Sequence, residues 1–414
     1  MRGIDLVKTL NSTSPTEPSA LVNIHAGERF MDIHNFAVKN KLTILGGADP
    51  HVGIGGWTLG GGHDPLTAKY GMGADQVVEM DVVTADGALR TINEHCEPEL
   101  FWVMRGSGGS TFAVLISVTV KAYPSISTGL YTFSYNTTSD SDTFWAMTAY
   151  FHSQLPRLSK AGLFSYYFVY PLMPGVKNES TQGMVAGEFL DPGLTATEMQ
   201  KIVAPMEAEL NAADWGDPVY KGGLADEHPD FSAFWAKNNA PQDAGISGKL
   251  GSRLLDKKAL TSDMAKLKAS LRTSTPVPWS ILGHLVAGAG THSPPDGIPG
   301  SSNAVGPGWR KAYAHVVLPR TWTPLNDTQK ITASDDLRNA RVEALRQLAP
   351  DTGAYVNEVD PTEPEWQDTL YGDQYSRLLE AKSKWDPTGV FWCQHCVSSE
   401  LWDADDPYGL ENRV

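Results

Sequence analysis

Residues 46–75 read GGADPHVGIGGWTLGGGHDPLTAKYGMGAD, with ten glycines in thirty positions. Such a glycine density lets the backbone approach a ligand closely and present successive N–H groups to its oxygen atoms. The stretch therefore predicts a site for a large, flat, phosphate-bearing cofactor. It contains neither a P-loop nor the third glycine of the dinucleotide fingerprint after Gly53 and Gly55. A glycine-rich turn between strands is the alternative interpretation.

The residues around this stretch predict alternating helices and short strands. Residues 28–41 place Phe30, Ile33 and Ala37 on one helical face, and residues 42–45 follow as a strand. Asp86-Gly87 lies between two apolar runs and predicts a hairpin. Further elements predicted before Pro124 are a helix over 98–105, closed by Gly106, and a half-buried strand in which Ile116, Val118 and Val120 alternate with Ser117, Thr119 and Lys121.

The remainder of the chain predicts a second domain and a compact tail. Strand-like runs cover 164–170, 279–286 and 313–317, and two amphipathic helices cover 199–210 and 337–348. The Gly/Pro/Ser-rich residues 288–308 predict a loop over a surface or cleft. The tail predicts a helix that carries Tyr375, Leu378, Leu379 and Lys382 and ends at Asp386-Pro387.

Composition excludes several classes of protein. The 414 residues contain 33 Lys+Arg against 48 Asp+Glu, a net charge of −15, which disfavours a nucleic-acid partner. No apolar run reaches the roughly 20 residues of a membrane-spanning helix. The amino terminus lacks the apolar core of a signal peptide, so the chain as written is expected to be cytoplasmic, although a longer form could be secreted. Cys393 and Cys396 have the spacing of a metal or redox pair, but no second pair completes a zinc site.

Several ordered blocks resemble the FAD-linked oxidoreductases of the berberine-bridge-enzyme type, a PCMH-type, vanillyl-alcohol-oxidase-like family. The resemblance begins in the glycine stretch, with VGIGGWTLGGGH followed by KYGMGAD and VVTADG, and continues in ELFWVMRGSGGSTF. Its C-terminal blocks are Tyr355-Val356-Asn357-Glu358, Tyr371-Gly372-Asp373, residues 382–391 and residues 397–402.

The resemblance implies an α+β, two-domain flavin oxidase fold. The FAD-binding domain would comprise residues 1–124, with the tail 370–414 returning to it, and residues 125–369 would form a substrate domain whose antiparallel sheet is covered by helices. The implied cofactor is FAD. Its implied contacts are Val52, Gly53, Gly56, Trp57, Gly60, Gly61, Gly62, His63, Asp75 and Val118. Asp75 could equally be a turn or capping residue, and Val118 a core residue.

The implied chemistry is hydride transfer from a small organic substrate to flavin, with reoxidation by oxygen, in secondary metabolism. Tyr355 and Asn357 are the implied catalytic residues, and a Tyr acts as a base only where its pKa is lowered. No metal site is expected. The lone histidines His284, His292 and His315 of the substrate domain are interpreted as structural rather than catalytic.

The sequence departs from the family pattern at three places. The family's upstream flavin module would precede Met1, which predicts an N-terminally incomplete FAD domain. Asp49 stands where some relatives carry a flavin-linking cysteine, so FAD would be non-covalent or absent. Trp57 replaces a His or Tyr and can donate but not accept a hydrogen bond. Two alternatives therefore stay open: a flavin-free ligand-binding or cyclase-like protein, and an inactive fragment.

Overall fold

The computed structural model describes residues 2–10, 12, 14, 16–109, 111–138, 140–173, 182–215, 220–238, 246–286, 288–292, 303–403 and 411–412. Two antiparallel sheets with helices dominate it, as the predicted α+β class requires. In this part of the chain, no helix is both long enough and apolar enough to cross a bilayer.

The first sheet has six strands in the order β1-β2-β6-β4-β5, with β3 paired to β6. These strands are β1 (Ile4–Thr9), β2 (Ala20–His25), β3 (Leu42–Thr43), β4 (Val77–Thr84), β5 (Leu89–Asn93) and β6 (Ala113–Pro124). The accompanying helices are α1 (Phe30–Asn40), α2 (Ile54–Leu59), α3 (Thr67–Tyr70) and α4 (Pro98–Val103).

The local predictions in this region are largely confirmed. Helix α1 buries Phe30, Ile33 and Ala37, and it ends at Lys41, whose backbone is left-handed. Strands β4 and β5 form the expected antiparallel hairpin. The carboxylate of Asp86 fixes its turn by accepting hydrogen bonds from the Thr84 hydroxyl and the Ala88 N–H.

The prediction of a half-buried strand at β6 is wrong for residues 117–123, because both faces of the strand are buried there. Ser117, Thr119 and Lys121 are each at most 6% exposed. Their polar atoms are satisfied internally: the amide of Asn23 donates to both hydroxyls, and the Lys121 ammonium donates to the Asp75 carbonyl at 2.9 Å. Alternation of polar and apolar residues marks a solvent-facing strand only where no second layer covers the polar face.

The second sheet has seven antiparallel strands in the order β10-β7-β9-β8-β12-β13-β11. They are β7 (Thr128–Thr138), β8 (Phe164–Met173), β9 (Gln182–Pro192), β10 (Tyr220–His228), β11 (Gly248–Asp256), β12 (Ile281–Leu285) and β13 (Ala312–Thr321). Helices in this part are α5 (Asp142–Lys160), α6 (Ala196–Ala212), α7 (Phe231–Asn238), α8 (Lys257–Thr261), α9 (Met264–Ser274), α10 (Ala289–His292), α11 (Asp327–Asp336) and α12 (Val342–Leu348).

One face of this sheet packs against helices. The second hydrophobic core of the molecule lies on this face. It combines strand residues such as Tyr167, Ile281 and Val316 with residues of α5, α6, α9 and α12. The predicted helix over 337–348 is a π-helical turn, Leu337–Arg341, that continues into α12. Since side chains alternate along a strand, Tyr166, His284 and His315 lie on the opposite face. That face is directed toward the first sheet and its glycine stretch.

The segment 288–308 differs in part from the predicted surface loop. Residues 293–302 lie outside the described residues, but Asn303, Ala304 and Val305 are buried. The Ala304 N–H donates to the Arg105 carbonyl at 2.9 Å, and Val305 packs directly on Gly106. This short stretch is irregular, as expected of a loop, but it is buried, so the expectation that it covers a surface is wrong here.

The tail packs against the first hydrophobic core through α13 (Trp366–Tyr371) and α14 (Tyr375–Trp385), and the short strands β14 (Trp402–Asp403) and β15 (Glu411–Asn412) pair beyond them. Helix α14 ends before Asp386, as predicted. The buried Lys382 ammonium donates to the Asp386 carboxylate at 2.7 Å and to the carbonyls of Thr111 and Phe391 at 2.5 and 2.6 Å. These contacts fasten the tail to the segment that precedes β6. The boundaries at residues 124 and 369 stay a prediction.

Asp191, at the end of β9, gives the fold a measurable pH dependence. Burial raises the pKa of its carboxyl to about 7, against the smaller lowering effect of Lys69. Between about pH 4 and pH 7 the unfolded chain releases this proton while the folded chain retains it, so this group lowers stability as the pH rises. We expect Asp191→Asn to be about 2 kcal/mol more stable than the parent at pH 8 and equally stable at pH 4.

Urea unfolding at the two pH values checks this prediction. Asp226→Asn, at an exposed position on the β10 edge strand, serves as the control and is expected to change stability little at either pH. If Asp191→Asn raises the free energy of unfolding equally at pH 4 and pH 8, the pH dependence does not come from the raised pKa of Asp191.

Candidate functional site

The glycine stretch folds around the indole of Trp57, which is 8% exposed. Its ring packs edge-on against Phe30 with 5.0 Å between centroids, and its Nε1 donates to the His63 carbonyl at 3.1 Å. A Cβ placed on Gly62 or Gly73 would lie within 2.6 Å of the indole. Trp57 thus lies at the centre of the folded stretch, and its indole leaves no room for a side chain at Gly62 or Gly73.

The other side of the stretch is open. A Cβ on Gly56 or on Gly109 would meet nothing within 4 Å, and on Gly55 it would only touch Leu115. Val52, at the start of the loop, is 40% exposed. The backbone of these residues is therefore accessible along a surface almost free of side chains. A surface of this kind suits a flat, hydrogen-bonding ligand.

The C-terminal segment with Tyr355 and Asn357 contacts this loop directly. The Asn357 amide Nδ2 donates to the Gly56 carbonyl at 3.2 Å and to the Tyr355 hydroxyl at 2.8 Å. A Cβ on Gly60 would lie 2.3 Å from the same amide. The two predicted catalytic residues and the predicted cofactor loop, separated by about three hundred residues in sequence, form one hydrogen-bonded unit.

The environment of Tyr355 favours the neutral phenol. Burial, followed by the charge of Glu358, raises the pKa of its hydroxyl above the ordinary value, and hydrogen bonds with Asn357 and the Gly62 backbone oppose this only in part. A tyrosine that acts as a general base needs a lowered pKa, and the pKa of Tyr355 is raised instead. Because Asn357 donates to the phenol oxygen, the phenol proton can be directed to a substrate oxygen, so Tyr355 fits a hydrogen-bond donor better than a base.

Three histidines and a glutamate meet beside Tyr355. The ring centroids of His63, His284 and His315 lie 5.1 to 5.4 Å from one another. Glu358 approaches His63 at 3.6 Å and His315 at 3.7 Å. Burial lowers the pKa of His284, and it lowers that of His315 to about 3. We refer to these four residues as the histidine cluster.

Strand register explains how the cluster forms. His284 on β12 and His315 on β13 are direct cross-strand partners, and Tyr166 on β8 is the partner of His284 on its other side. The three side chains thus form a row across the open face of the second sheet. His63 reaches this row from the end of the glycine stretch. The cluster therefore lies where the two halves of the molecule meet.

Asp75 belongs to a second, separate network. Its carboxylate accepts two hydrogen bonds from the Arg310 guanidinium, at 2.9 and 3.0 Å, and one from the Asn303 amide at 2.6 Å. It also accepts from the Met72 N–H at 2.8 Å. The carboxylate is only 3% exposed and thus ties the glycine stretch to segment 303–310.

The predicted site residues of the cofactor set therefore divide into four groups. Val52, Gly53 and Gly56 lie on the open side of the loop. Trp57, Gly60, Gly61, Gly62 and His63 are buried; of these, Gly60 packs against Asn357 and His63 against Tyr355. Asp75 lies in its own ion pair. Val118 is fully buried in β6, between Ile24 and Met80 on the neighbouring strands. Three further residues to which the sequence had assigned no role contact the site: Arg310 pairs with Asp75, Glu358 approaches His63, and Tyr166 packs against His284.

Two cysteine-related observations complete the geometry. Asp49 stands at the position of the flavin-linking cysteine of some relatives, and its carboxylate accepts a hydrogen bond from the His51 N–H at 2.7 Å. Cys393 and Cys396 form a disulfide. Their spacing was typical of a metal or redox pair, and the structure pairs them with each other.

Comparison with known proteins identifies the family. The family model "FAD binding domain" matches residues 3–93, and "Berberine and berberine like" matches residues 354–398. An uncharacterized FAD-linked oxidoreductase of Arthroderma benhamiae is 34% identical over 405 residues, which cover 92% of this chain and 65% of that protein. The FAD-linked oxidoreductase patO of Aspergillus clavatus is 30% identical, over 96% of this chain and 67% of that protein.

A solved structure supports the same conclusion. The VAO-type flavoprotein MtVAO713 from Myceliophthora thermophila C1 superimposes with a TM-score of 0.89 at 27% identity, covering 100% of this chain and 73% of that protein. The chain spans about two thirds of the length of the curated relatives it matches. By sequence and by fold, it belongs to the berberine-bridge-enzyme-like family of FAD-linked oxidoreductases.

Proposed function

We propose that this chain binds FAD and acts as an oxidase that removes a hydride from a small organic substrate of secondary metabolism, with oxygen as the final acceptor. The observation that carries the proposal is the hydrogen-bonded unit of Gly56, Asn357 and Tyr355. It joins the accessible glycine surface to Tyr355 and Asn357, the residues that the family resemblance implies as catalytic.

The residues present fit the cofactor. The open backbone of Gly53, Gly55 and Gly56 would hold it, and Gly109 and Val52 would flank it, because no side chain fills the space above them. When bound, FAD supplies the hydride acceptor that no amino-acid side chain provides. Asp49 excludes a cysteinyl link at its position, so the proposal includes FAD held without that bond.

The roles of the protein residues follow from their contacts. Asn357 holds the Tyr355 phenol by donating to its oxygen, and the phenol donates its proton to an oxygen of the substrate. Tyr166 and Trp309 line the same space and exclude water from it, since both are in aromatic contact with the histidine cluster. The substrate would lie between this aromatic wall and the glycine loop.

Titration of the purified protein with FAD tests the proposal, with the visible spectrum and flavin fluorescence as readouts. We expect saturable binding, and flavin that is released on acid precipitation.

In Gly56→Val, which fills the open surface, we expect the Kd for FAD to rise at least about tenfold at unchanged folding stability. Gly222→Val, on the remote edge strand β10 with equal free space around it, is the matched control. A folded protein that never takes up FAD would instead support the flavin-free alternative, and an aggregated one the fragment.

Removing the Tyr355 hydroxyl should affect turnover more than cofactor binding. We expect Tyr355→Phe to lower the rate of anaerobic flavin reduction by about 100-fold, because a donor to the reacting oxygen is lost. Alcohols, amines and hydroxylated polyketides serve as the substrate panel. Tyr150→Phe, which removes a hydroxyl that donates to Glu209 and Met206 of helix α6, is the control. An unchanged rate in Tyr355→Phe would exclude the proposed role.

A further inference from the structure

We propose that the histidine cluster is a binding site for a divalent transition-metal ion of the zinc class. His63, His284, His315 and Glu358 each offer one possible ligand atom, and these atoms all lie within 4.8 Å of one another. His63 is also among the implied FAD contacts, but the geometry of these four side chains stands without the proposed flavin chemistry.

The strongest argument is the state of the imidazole nitrogens. His315 is fully buried, and neither of its ring nitrogens has a hydrogen-bond partner among the described residues. The Nδ1 atoms of His63 and His284, which are 7% and 4% exposed, also lack partners there. Leaving a buried polar atom without a partner is energetically costly. A bound cation would accept the lone pair of one nitrogen from each of these three side chains.

The chemistry of the set indicates a cation. Imidazole nitrogens and a carboxylate are electron-pair donors, the groups that bind transition-metal cations in proteins. Three nitrogen ligands and one oxygen ligand suit Zn²⁺ and similar ions, whereas Ca²⁺ and Mg²⁺ prefer oxygen ligands throughout. Packing alone does not account for the set, because the surrounding rings of Trp309 and Tyr355 provide apolar contact but satisfy no nitrogen of the cluster.

The four ligand atoms have to move closer together to bind one ion. A tetrahedral shell with metal–ligand bonds of about 2.1 Å places its ligand atoms roughly 3.4 Å apart. The present separations of up to 4.8 Å therefore have to shrink by about 1 Å or more, which rotation of the side chains can supply. Glu358 is the most adaptable ligand, since its side chain is 27% exposed.

The number and origin of the ligands define the role of the ion. With four protein ligands the coordination shell is complete, which is typical of structural rather than catalytic zinc. The ligands come from the glycine stretch, from two strands of the second sheet and from the C-terminal segment. A bound ion would thus clamp these three parts of the chain together and fix Glu358 only three residues after Tyr355.

Metal binding to the protein itself tests the proposal. Protein purified without a histidine tag is stripped with a chelator and then titrated with Zn²⁺ or Co²⁺. We expect one high-affinity ion per chain, a higher unfolding midpoint in the presence of Zn²⁺, and the intense visible absorption of four-coordinate Co²⁺. Mass spectrometry of the metal content before stripping gives an independent measure of occupancy.

Ligand variants locate the site. We expect His315→Gln to raise the Kd for Zn²⁺ by at least about 100-fold and Glu358→Gln by at least about tenfold, with loss of the cobalt spectrum in both. Glu358→Gln keeps the test decisive if the buried histidine variant fails to fold. His95→Gln removes an exposed histidine and should leave binding unchanged. Absence of stoichiometric binding, or binding of equal affinity in Glu358→Gln and His95→Gln, would overturn the proposal.

Discussion

Asp75→Ala should destabilise the protein by about 3 to 5 kcal/mol, which is the largest electrostatic effect that we expect from a single substitution. The change removes the partner of a bidentate arginine contact in a site where the carboxylate is 3% exposed. Arg310 would then be left with a poorly solvated charge, and the cost of such a charge exceeds the worth of the original pair. Urea unfolding monitored by tryptophan fluorescence measures the difference.

A surface ion pair provides the control for this experiment. Asp142 contacts Lys268 at 2.9 Å, but its side chain is 76% exposed, so Asp142→Ala is expected to change stability little. Asp75→Asn should give an intermediate value, because it keeps the size of the side chain and loses the charge. If Asp75→Ala costs no more than Asp142→Ala, the network does not join the glycine stretch to segment 303–310 in the way described.

Gly62→Ala should abolish stable packing of the glycine stretch. Gly62 has φ +68°, a region in which an L-residue is strained by about 1 to 2 kcal/mol. Its new Cβ would also lie 2.6 Å from the Trp57 indole, which is itself held between Phe30 and the His63 carbonyl. We expect a total loss of about 3 kcal/mol or more, together with loss of FAD binding.

Gly87→Ala separates the two contributions. Gly87 has φ +80°, but a Cβ there meets nothing within 4 Å, so this variant reports backbone strain alone. The difference between the two variants is the cost of contact with Trp57. Differential scanning calorimetry of both proteins checks the prediction, and equal midpoints would mean that the indole moves aside without cost.

The local elements could be predicted from the sequence because their signals are local. The Asp86-Gly87 turn, the apolar face of α1 and the glycine stretch each depend on neighbouring residues. The wrong predictions concern residues that a second layer of the structure covers. Polar residues of β6 are buried because Asn23 and Asp75 satisfy them, and no pattern within β6 reports the presence of those partners.

The candidate site was predictable only in part. Family resemblance selected Tyr355 and Asn357 and the glycine loop, and the structure places them in contact. His284 and His315 were known from the sequence as isolated histidines of the second domain. Their meeting depends on the register between β12 and β13, which are joined by a long connection, and on the approach of His63 from the other half of the molecule. A one-residue slip in that register would have pointed them apart.

The tail contact at Lys382 has a consequence for synthesis of the protein on the ribosome. The ammonium of Lys382 bonds to the carbonyl of Thr111, which lies 271 positions earlier. At about 5 to 20 residues per second, translation separates these two residues by roughly 15 to 50 seconds. Throughout that interval the first sheet is made but lacks Leu378, Ala381 and Val397, which complete its core. The nascent chain must therefore carry exposed apolar surface for most of its own translation, and its yield in cells should depend on chaperones that bind such surface.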